Sequence, residues 1–297
     1  MRLAFLGLGL IGGSVARAVR ARGALAVGAA GTAPDRDSIV AWSPAGRGPA
    51  EALAGGVIDR VAGSVASAVE GADLIVLAAD PLTCLGLLEE LAGLPPADEP
   101  ATITDVASTK TLLARKADAL GLFYVGGHPL AGLEVAGYGH GRADLFSGRP
   151  WVLCPGAHAR PIDIERAEAL VERCTATRHW LSPEDHDRAV AAISHLPLAL
   201  AAALVQSVSD ADDWPIASAL TAGGWQSSTR LARGDVAMGA GIEATNAPEL
   251  ARRLRSLRTE LDGWLADLEA TPDDPAATAE RIARRLGAAR QTLAGGD

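Results

Sequence analysis

Residues 2–6 read Arg-Leu-Ala-Phe-Leu, and Gly7-Leu8-Gly9-Leu10-Ile11-Gly12 follows directly. A short apolar run closed by G-x-G-x-x-G and continued by a helix is the opening of a βαβ unit. The first glycine permits the tight turn, the second lets the backbone approach a pyrophosphate, and the third lets helix and strand pack closely. The helix N-terminus then faces the phosphates with unpaired N–H groups. This start predicts dinucleotide binding, with Gly7, Gly9, Leu10, Ile11 and Gly12 at the cofactor.

The next strand of such a unit ends in Asp or Glu where a ribose 2′-hydroxyl is bound. Here the run is Ile39-Val40-Ala41-Trp42-Ser43-Pro44, with Ser43 in the acid's place and Arg47 four residues on. Loss of the acid removes repulsion against a 2′-phosphate, and a nearby Arg pairs with one. Ser43 and Arg47 therefore lean the cofactor toward NADP, with NAD left open, since Arg47 also reads as an ordinary solvated arginine.

Further strands are expected at Leu74–Ala78, Thr102–Val106, Phe123–Val125, Trp151–Cys154 and Arg178–Leu181, and helices at Gly13–Arg22, Val65–Glu70, Thr109–Leu120 and Ile162–Cys174. A Gly/His/Pro loop is expected after Val125, and a solvent loop at 28–37. This alternation predicts an α/β Rossmann-type, doubly wound parallel sheet with helices on both faces. After Leu181 the period becomes helical. Ser182-Pro183-Glu184-Asp185 supplies an N-cap hydroxyl, a first-turn proline and two early acids. Leu250, Leu254, Leu257, Leu261, Trp264 and Leu268 make one apolar stripe, either a core seam or a subunit interface. The expected domains are 1–181, binding the dinucleotide, and 182–297, all helical; 297 residues suit two domains at about 150 each.

Lys+Arg 27 against Asp+Glu 36 gives a net charge of −9. An acidic chain without a basic run argues against nucleic acid and against an anionic membrane surface. The apolar run at 189–206 contains His195 and Pro197 and is expected as a buried helix, not a membrane span. Cys84, Cys154 and Cys174 are widely spaced and odd in number, which argues against a disulfide scaffold or zinc site and suits a reducing cytoplasm. The apolar N-terminus is broken by glycines and shows no cleavage site of the secretory kind.

Four segments carry candidate chemistry: Asp105-Val106-Ala107-Ser108-Thr109-Lys110, Gly126-Gly127-His128-Pro129, the pair His186-Asp187 with Ser194-His195-Leu196-Pro197, and Gly223-Gly224-Trp225-Gln226-Ser227-Ser228-Thr229-Arg230. His128 falls where open α/β sheets bind ligands, at the carboxyl end of a strand, and Pro129 holds it extended. Hydride loss from a C–OH carbon needs a partner for the hydroxyl proton, and His titrates near neutrality. His128 is thus the candidate base. Ser108 is placed to hydrogen-bond the same hydroxyl or His128, to cap a helix starting at Thr109, or to do both. Lys110, one of only two lysines, sits inside a site motif without an assigned role. His186 and His195 are nine residues apart, about half a turn out of phase on a straight helix, which argues against a two-histidine metal site.

In order and combination, these segments and the N-terminal glycines resemble the prephenate/arogenate dehydrogenase family from residue 1 to about 260. The resemblance implies oxidative decarboxylation of a cyclohexadienyl substrate, prephenate or arogenate, on the route to tyrosine. It implies a homodimer formed through the helical domain. It places His195 and Arg230 on the substrate's carboxylates, where Arg offers a bidentate fork, and Glu134 at an acidic position that gates or orients. Many members carry a basic residue and then Asp where this chain has Gln226 and Ser227, so the reading of the substrate side chain is left open. No regulatory domain of the kind some relatives append is expected. A β-hydroxyacid dehydrogenase is the rival enzyme, disfavoured because the helix from Ser182 holds no lysine. A non-catalytic dinucleotide-binding regulator is the rival from another class, and would not need the four chemical segments.

Overall fold

The structure, a computed structural model, describes residues 1–23, 37–132 and 135–295. Among the described residues eight strands form one sheet: β1 (Arg2–Leu6), β2 (Ser38–Trp42), β3 (Arg60–Val61), β4 (Leu74–Leu77), β5 (Thr102–Asp105), β6 (Tyr124–Pro129), β7 (Pro150–Pro155) and β8 (Thr177–Trp180). Their order is β3-β2-β1-β4-β5-β6-β7-β8. Every neighbouring pair is parallel except β6 and β7. The chain winds outward from β1 to β3, then restarts at β4 on the other side of β1. That reversal opens a crevice at the carboxyl ends of β1 and β4, where open α/β sheets bind ligands.

The helices of this half are α1 (Leu10–Ala21), α2 (Arg47–Ala54), α3 (Val65–Val69), α4 (Pro81–Ala92), α5 (Thr111–Ala119) and α6 (Pro161–Arg173). Alternate residues of β1 feed opposite faces, as the period of a strand requires. Leu3 and Phe5 join one core with Val15, Val19, Leu170 and Val171, whereas Ala4 and Leu6 join the other with Leu87, Leu88, Leu113 and Ala117. Coverage on both faces explains why β4 is the unbroken apolar run Leu-Ile-Val-Leu. The three cysteines are buried and unpaired, and burial pushes each thiol up to about 12.

Several expected boundaries shift. Helix α1 starts at Leu10, not Gly13, so only Gly7–Gly9 remain as the loop. The expected Gly/His/Pro loop is strand: β6 runs on through His128 and Pro129 because it pairs with β7, His128 facing Val152. Helices α2 and α4 add to the expected elements, and Asp80-Pro81 announces α4: the Asp80 carboxylate accepts the Leu82 and Thr83 N–H groups at 3.1 and 3.0 Å. The expected loop at 28–37 lies outside the described residues apart from Asp37.

Beyond Trp180 the described chain is helical: α7 (Pro183–Val190), a π-helical turn at Ala191–His195, α8 (Leu196–Ser209), α9 (Trp214–Ala219), α10 (Gly223–Thr229), a 3₁₀ turn at Arg230–Arg233, α11 (Val236–Thr245), α12 (Ala247–Glu269) and α13 (Pro275–Ala294). Within Pro183–Ser209 an 18-residue stretch is long and apolar enough to cross a membrane, with mean hydropathy 1.8. The expectation of a buried helix there fails in the single chain: Ala201 is the one buried residue of α8. The chain divides into two compact units, Met1–Ala247 and Pro248–Asp297. In the second, α13 folds back on α12: Arg285 bonds Asp267 at 2.5 Å, with Gly263 leaving space for the guanidinium. The predicted leucine stripe lies on one helix, and Leu254, Leu261 and Leu268 are exposed.

Candidate active site

The glycine loop fits a dinucleotide. Gly7 has φ of 95°, and a Cβ there would stand 2.4 Å from the Ala78 carbonyl oxygen. A Cβ on Gly12 would meet Ala78 Cβ at 2.7 Å, so α1 sits tight against the end of β4. Gly9, by contrast, faces open space, the room a pyrophosphate needs. It is the N-cap of α1 and has no side chain to bond the first-turn N–H groups. Gly9, Leu10 and Ile11 thus offer main-chain donors that would hold the phosphates. Ser43, just past β2, accepts the Gly46 N–H at 3.2 Å and shapes its own turn. Arg47 is the exposed first residue of α2. The adjacent Gly48 backs so closely onto Leu8 that a Cβ would lie 2.1 Å from the Leu8 carbonyl oxygen, which sets Arg47 beside the glycine loop.

Two strands along, β5 ends in Asp105, fully buried. Its carboxylate pairs with Lys110 Nζ, accepts the Tyr124 hydroxyl, and accepts the Ala107 N–H at 2.7 Å. Lys110 too is fully buried. Burying both charges is tolerable only because each is met by the other and by further hydrogen bonds. Strand β6 passes over this cluster on Gly126 and Gly127: a Cβ on Gly127 would lie 2.5 Å from the Asp105 carbonyl oxygen. Those two glycines bring the following residue, His128, into the site.

His128 Nδ1 lies 2.8 Å from His186 Nε2, and His186 Nδ1 lies 2.8 Å from Asp187 Oδ1. The Asp187 carboxylate also accepts the main-chain N–H groups of Lys110 and Thr111, each at 2.8 Å. Asn246, just past α11, donates its Nδ2 to the Asp187 carbonyl oxygen at 2.8 Å and to His195 Nδ1 at 3.1 Å. Among the described residues His195 Nε2 is buried without a partner. Burial holds His128 well below the usual histidine range, helped by His186, Lys110 and His195. Burial lowers His186 also, against the pull of Asp187, and takes His195 down to about 4. Burial raises the Asp187 carboxyl, but hydrogen bonds from His186, Thr111 and Lys110 outweigh it and keep the group ionised.

The structure therefore joins His128, His186, Asp187 and His195, and corrects two expectations. Ser108 is half-buried in the turn after β5 but does not cap α5, which starts at Thr111; Asp187 bonds the N–H groups of Lys110 and Thr111 at the helix start instead. His186 and His195 do not face opposite ways, because Ala191–His195 is π-helical. A π-helix advances less per residue than an α-helix, and Pro197 has no N–H to sustain the regular ladder. Arg230 lies on the exposed 3₁₀ turn and, with Gln226, Ser227 and Arg233, lines an open depression of about 490 Å³. Trp225 of α10 packs on Trp214 of α9 with ring centroids 5.5 Å apart. Glu134 lies outside the described residues. Asn246 escaped the sequence reading altogether, since a single Asn between two helical runs reads as a cap.

A phosphate-ready glycine loop and a buried histidine at the carboxyl edge of one sheet define an NAD(P)-dependent oxidoreductase. Family models agree: prephenate dehydrogenase, nucleotide-binding domain, matches residues 36–179, and prephenate dehydrogenase, dimerization domain, matches 182–272. The chain belongs to the prephenate dehydrogenase family. It is 32% identical to the prephenate dehydrogenase of Bacillus subtilis over 269 residues, 89% of this chain and 67% of that one. The crystal structure of Synechocystis arogenate dehydrogenase is 28% identical, with a TM-score of 0.77 over 99% of this chain and all of that one. The prephenate dehydrogenase of A. aeolicus, in complex with hydroxyphenyl propionate and NAD+, shares the fold at a TM-score of 0.83 and 23% identity, over 99% of this chain and 98% of that one.

Proposed function

We propose that the protein oxidatively decarboxylates prephenate to 4-hydroxyphenylpyruvate in tyrosine biosynthesis, in the cytoplasm, with His128 as the base. The observation that carries this reading is the placement of His128: buried, held neutral and hydrogen-bonded at the carboxyl end of β6, in the sheet that bears the glycine loop. A bound oxidised nicotinamide supplies the hydride acceptor. His128 takes the hydroxyl proton as the C–H hydride leaves; the ring carboxylate then departs as CO2, its electron pair makes the ring aromatic, and His128 returns the proton to the phenolate oxygen. Ser108, at the adjacent turn, donates to the same hydroxyl. His195 and Arg230 hold carboxylates and fix the approach, and Glu134 orients or gates. The exposed Arg47 and the absence of an acid at the end of β2 support NADP over NAD.

The dinucleotide-binding domain of this proposal is 1–181 and the helical substrate and dimerisation domain is 182–297. The uncovered apolar face of α8 supports a homodimer. Arogenate is the second reading of the substrate, kept open by Gln226 and Ser227 beside Arg230, which lack the charge pattern common in the family and alter the preference in either direction. One two-by-two assay decides: prephenate or L-arogenate, each with NAD or NADP, followed by the near-ultraviolet absorbance of the reduced nicotinamide. Turnover with prephenate and NADP is expected; no turnover with either acid overturns the function.

A further inference from the structure

We infer that His186, Asp187 and Asn246 are positioning residues that hold His128 and His195 in opposite tautomers, leaving a bare Nε2 on the first and an N–H at Nε2 on the second. This rests on the reading of His128 as the base.

The first relay runs through the Asp187 carboxylate. An ionised carboxylate only accepts, so His186 Nδ1 must donate to it across 2.8 Å. A neutral imidazole has one N–H, so His186 Nε2 is then an acceptor. Its partner at 2.8 Å, His128 Nδ1, must therefore carry the proton. The Nε2 of His128 is left with a lone pair, the state a base needs. Asp187 is itself locked by the Lys110 and Thr111 N–H groups at the start of α5. The relay is anchored to the scaffold, as the buried Asp of a hydrolase triad anchors its histidine.

The second relay runs through the carbonyl of the same residue. A carbonyl oxygen also only accepts, so the Asn246 atom 2.8 Å from it is the amide nitrogen. That nitrogen's second hydrogen points to His195 Nδ1 at 3.1 Å, which must accept. The proton of His195 then sits on Nε2, the buried atom that has no partner among the described residues. An unmet buried donor is destabilising, and a substrate oxygen relieves it. His195 thus serves as a neutral hydrogen-bond donor, not as a cation. One residue, Asp187, sets an acceptor through its side chain and a donor through its main chain.

The test reads the tautomers without turnover. The chain has six histidines; 15N labelling and long-range proton–nitrogen correlation at neutral pH identify which ring nitrogen carries hydrogen, with His128→Asn and His195→Asn used for assignment. The expected result is Nδ1–H on His128 and Nε2–H on His195. Nε2–H on His128, Nδ1–H on His195, or a doubly protonated ring on either overturns the inference. Kinetics provide the second arm. His186→Gln keeps an acceptor for His128 Nδ1–H and should stay within about tenfold of the parent kcat, whereas His186→Leu should lose about 100-fold or more with KM little changed. Equal losses in the two variants would mean mere packing and sink the relay. Asn246→Leu should raise KM about tenfold and spare kcat; a fall in kcat alone counts against it. If the tautomers are as stated but His128→Asn still turns over, the base assignment fails and the tautomer assignment stands.

Discussion

Asp187 and Thr111 meet across 76 residues of chain: the Asp187 carboxylate accepts the Thr111 N–H at 2.8 Å and so caps a helix to which it does not belong. It also accepts the Lys110 N–H and holds His186. Cap and relay are therefore one group, and the orientation of the site histidine is tied to the seating of α5. Asp187→Ala should cost about 3 kcal/mol in urea denaturation, because a lost cap and an orphaned buried imidazole N–H add. Ser108→Ala should change stability by no more than about 0.5 kcal/mol, since Ser108 is not the cap. A larger loss from Ser108→Ala would return the capping role to it.

Gly12 and Gly9 should separate stability from binding. Gly12→Ala drives a Cβ to within 2.7 Å of Ala78 Cβ and should cost about 1–3 kcal/mol in thermal or urea unfolding. Gly9→Ala meets nothing within 4 Å and should leave the free protein's stability almost unchanged. Its Kd for the dinucleotide should nevertheless rise at least tenfold, because the methyl occupies the phosphate's space. Tight binding by Gly9→Ala would place the pyrophosphate elsewhere.

Lys110 attracts attention in the sequence as one of two lysines, and the structure gives it a partner instead of a substrate. Lys110→Met strands the buried Asp105 carboxylate and should cost about 3–5 kcal/mol. Asp105→Asn in that background should recover part of the loss, because it removes the unpaired buried charge while its Oδ1 still accepts the Ala107 N–H. Denaturation of the single and double variants checks it; failure of Asp105→Asn to recover any stability would show that the charge pair is not the cause.

What was legible in the sequence was what local pattern controls. The strand RLAFL, the glycine loop and the switch to helical period after Leu181 could be read because apolar alternation and glycine spacing act over a few residues. The antiparallel extension of β6 could not, because Gly126-Gly127-His128-Pro129 reads as a turn until β7 is seen beside it. On a straight helix His186 and His195 point opposite ways, and only the π-helical turn brings them to one cluster. Asn246 gained its place from α11, which Thr245 ties to the β5–α5 turn through Thr109 at 2.9 Å. Contacts of that range leave no periodic trace in a single sequence.

Three buried histidines held below the usual range make a prediction about acid. Each must gain a proton on unfolding at pH values below about 6.5, so the unfolded state binds more protons there and stability falls as pH falls. For His195 the loss continues down to about 4. Conversely, His128 stays unprotonated in the fold well below pH 6.5. The acid limb of kcat/KM should therefore lie below pH 6.5 and approach the onset of acid unfolding. A limb centred at or above 6.5 would show that His128 is not in the desolvated state described.

Helix α8 supplies the last test. Its sequence, Leu-Pro-Leu-Ala-Leu-Ala-Ala-Ala-Leu-Val, would be at home in a core, yet Leu200 is 42% exposed and only Ala201 is buried. Apolar surface on that scale is covered in a stable soluble chain, and a second copy is the occupant that the dimerization-domain match favours. Leu200→Asp on a free surface would be almost neutral, within about 0.5 kcal/mol. On a dimer interface it buries an unpaired charge in each subunit and should convert the species to monomer in sedimentation equilibrium. Sedimentation of the unaltered protein at the mass of one chain would remove the dimer from the proposal, and an unchanged dimer in Leu200→Asp would move the interface off this face.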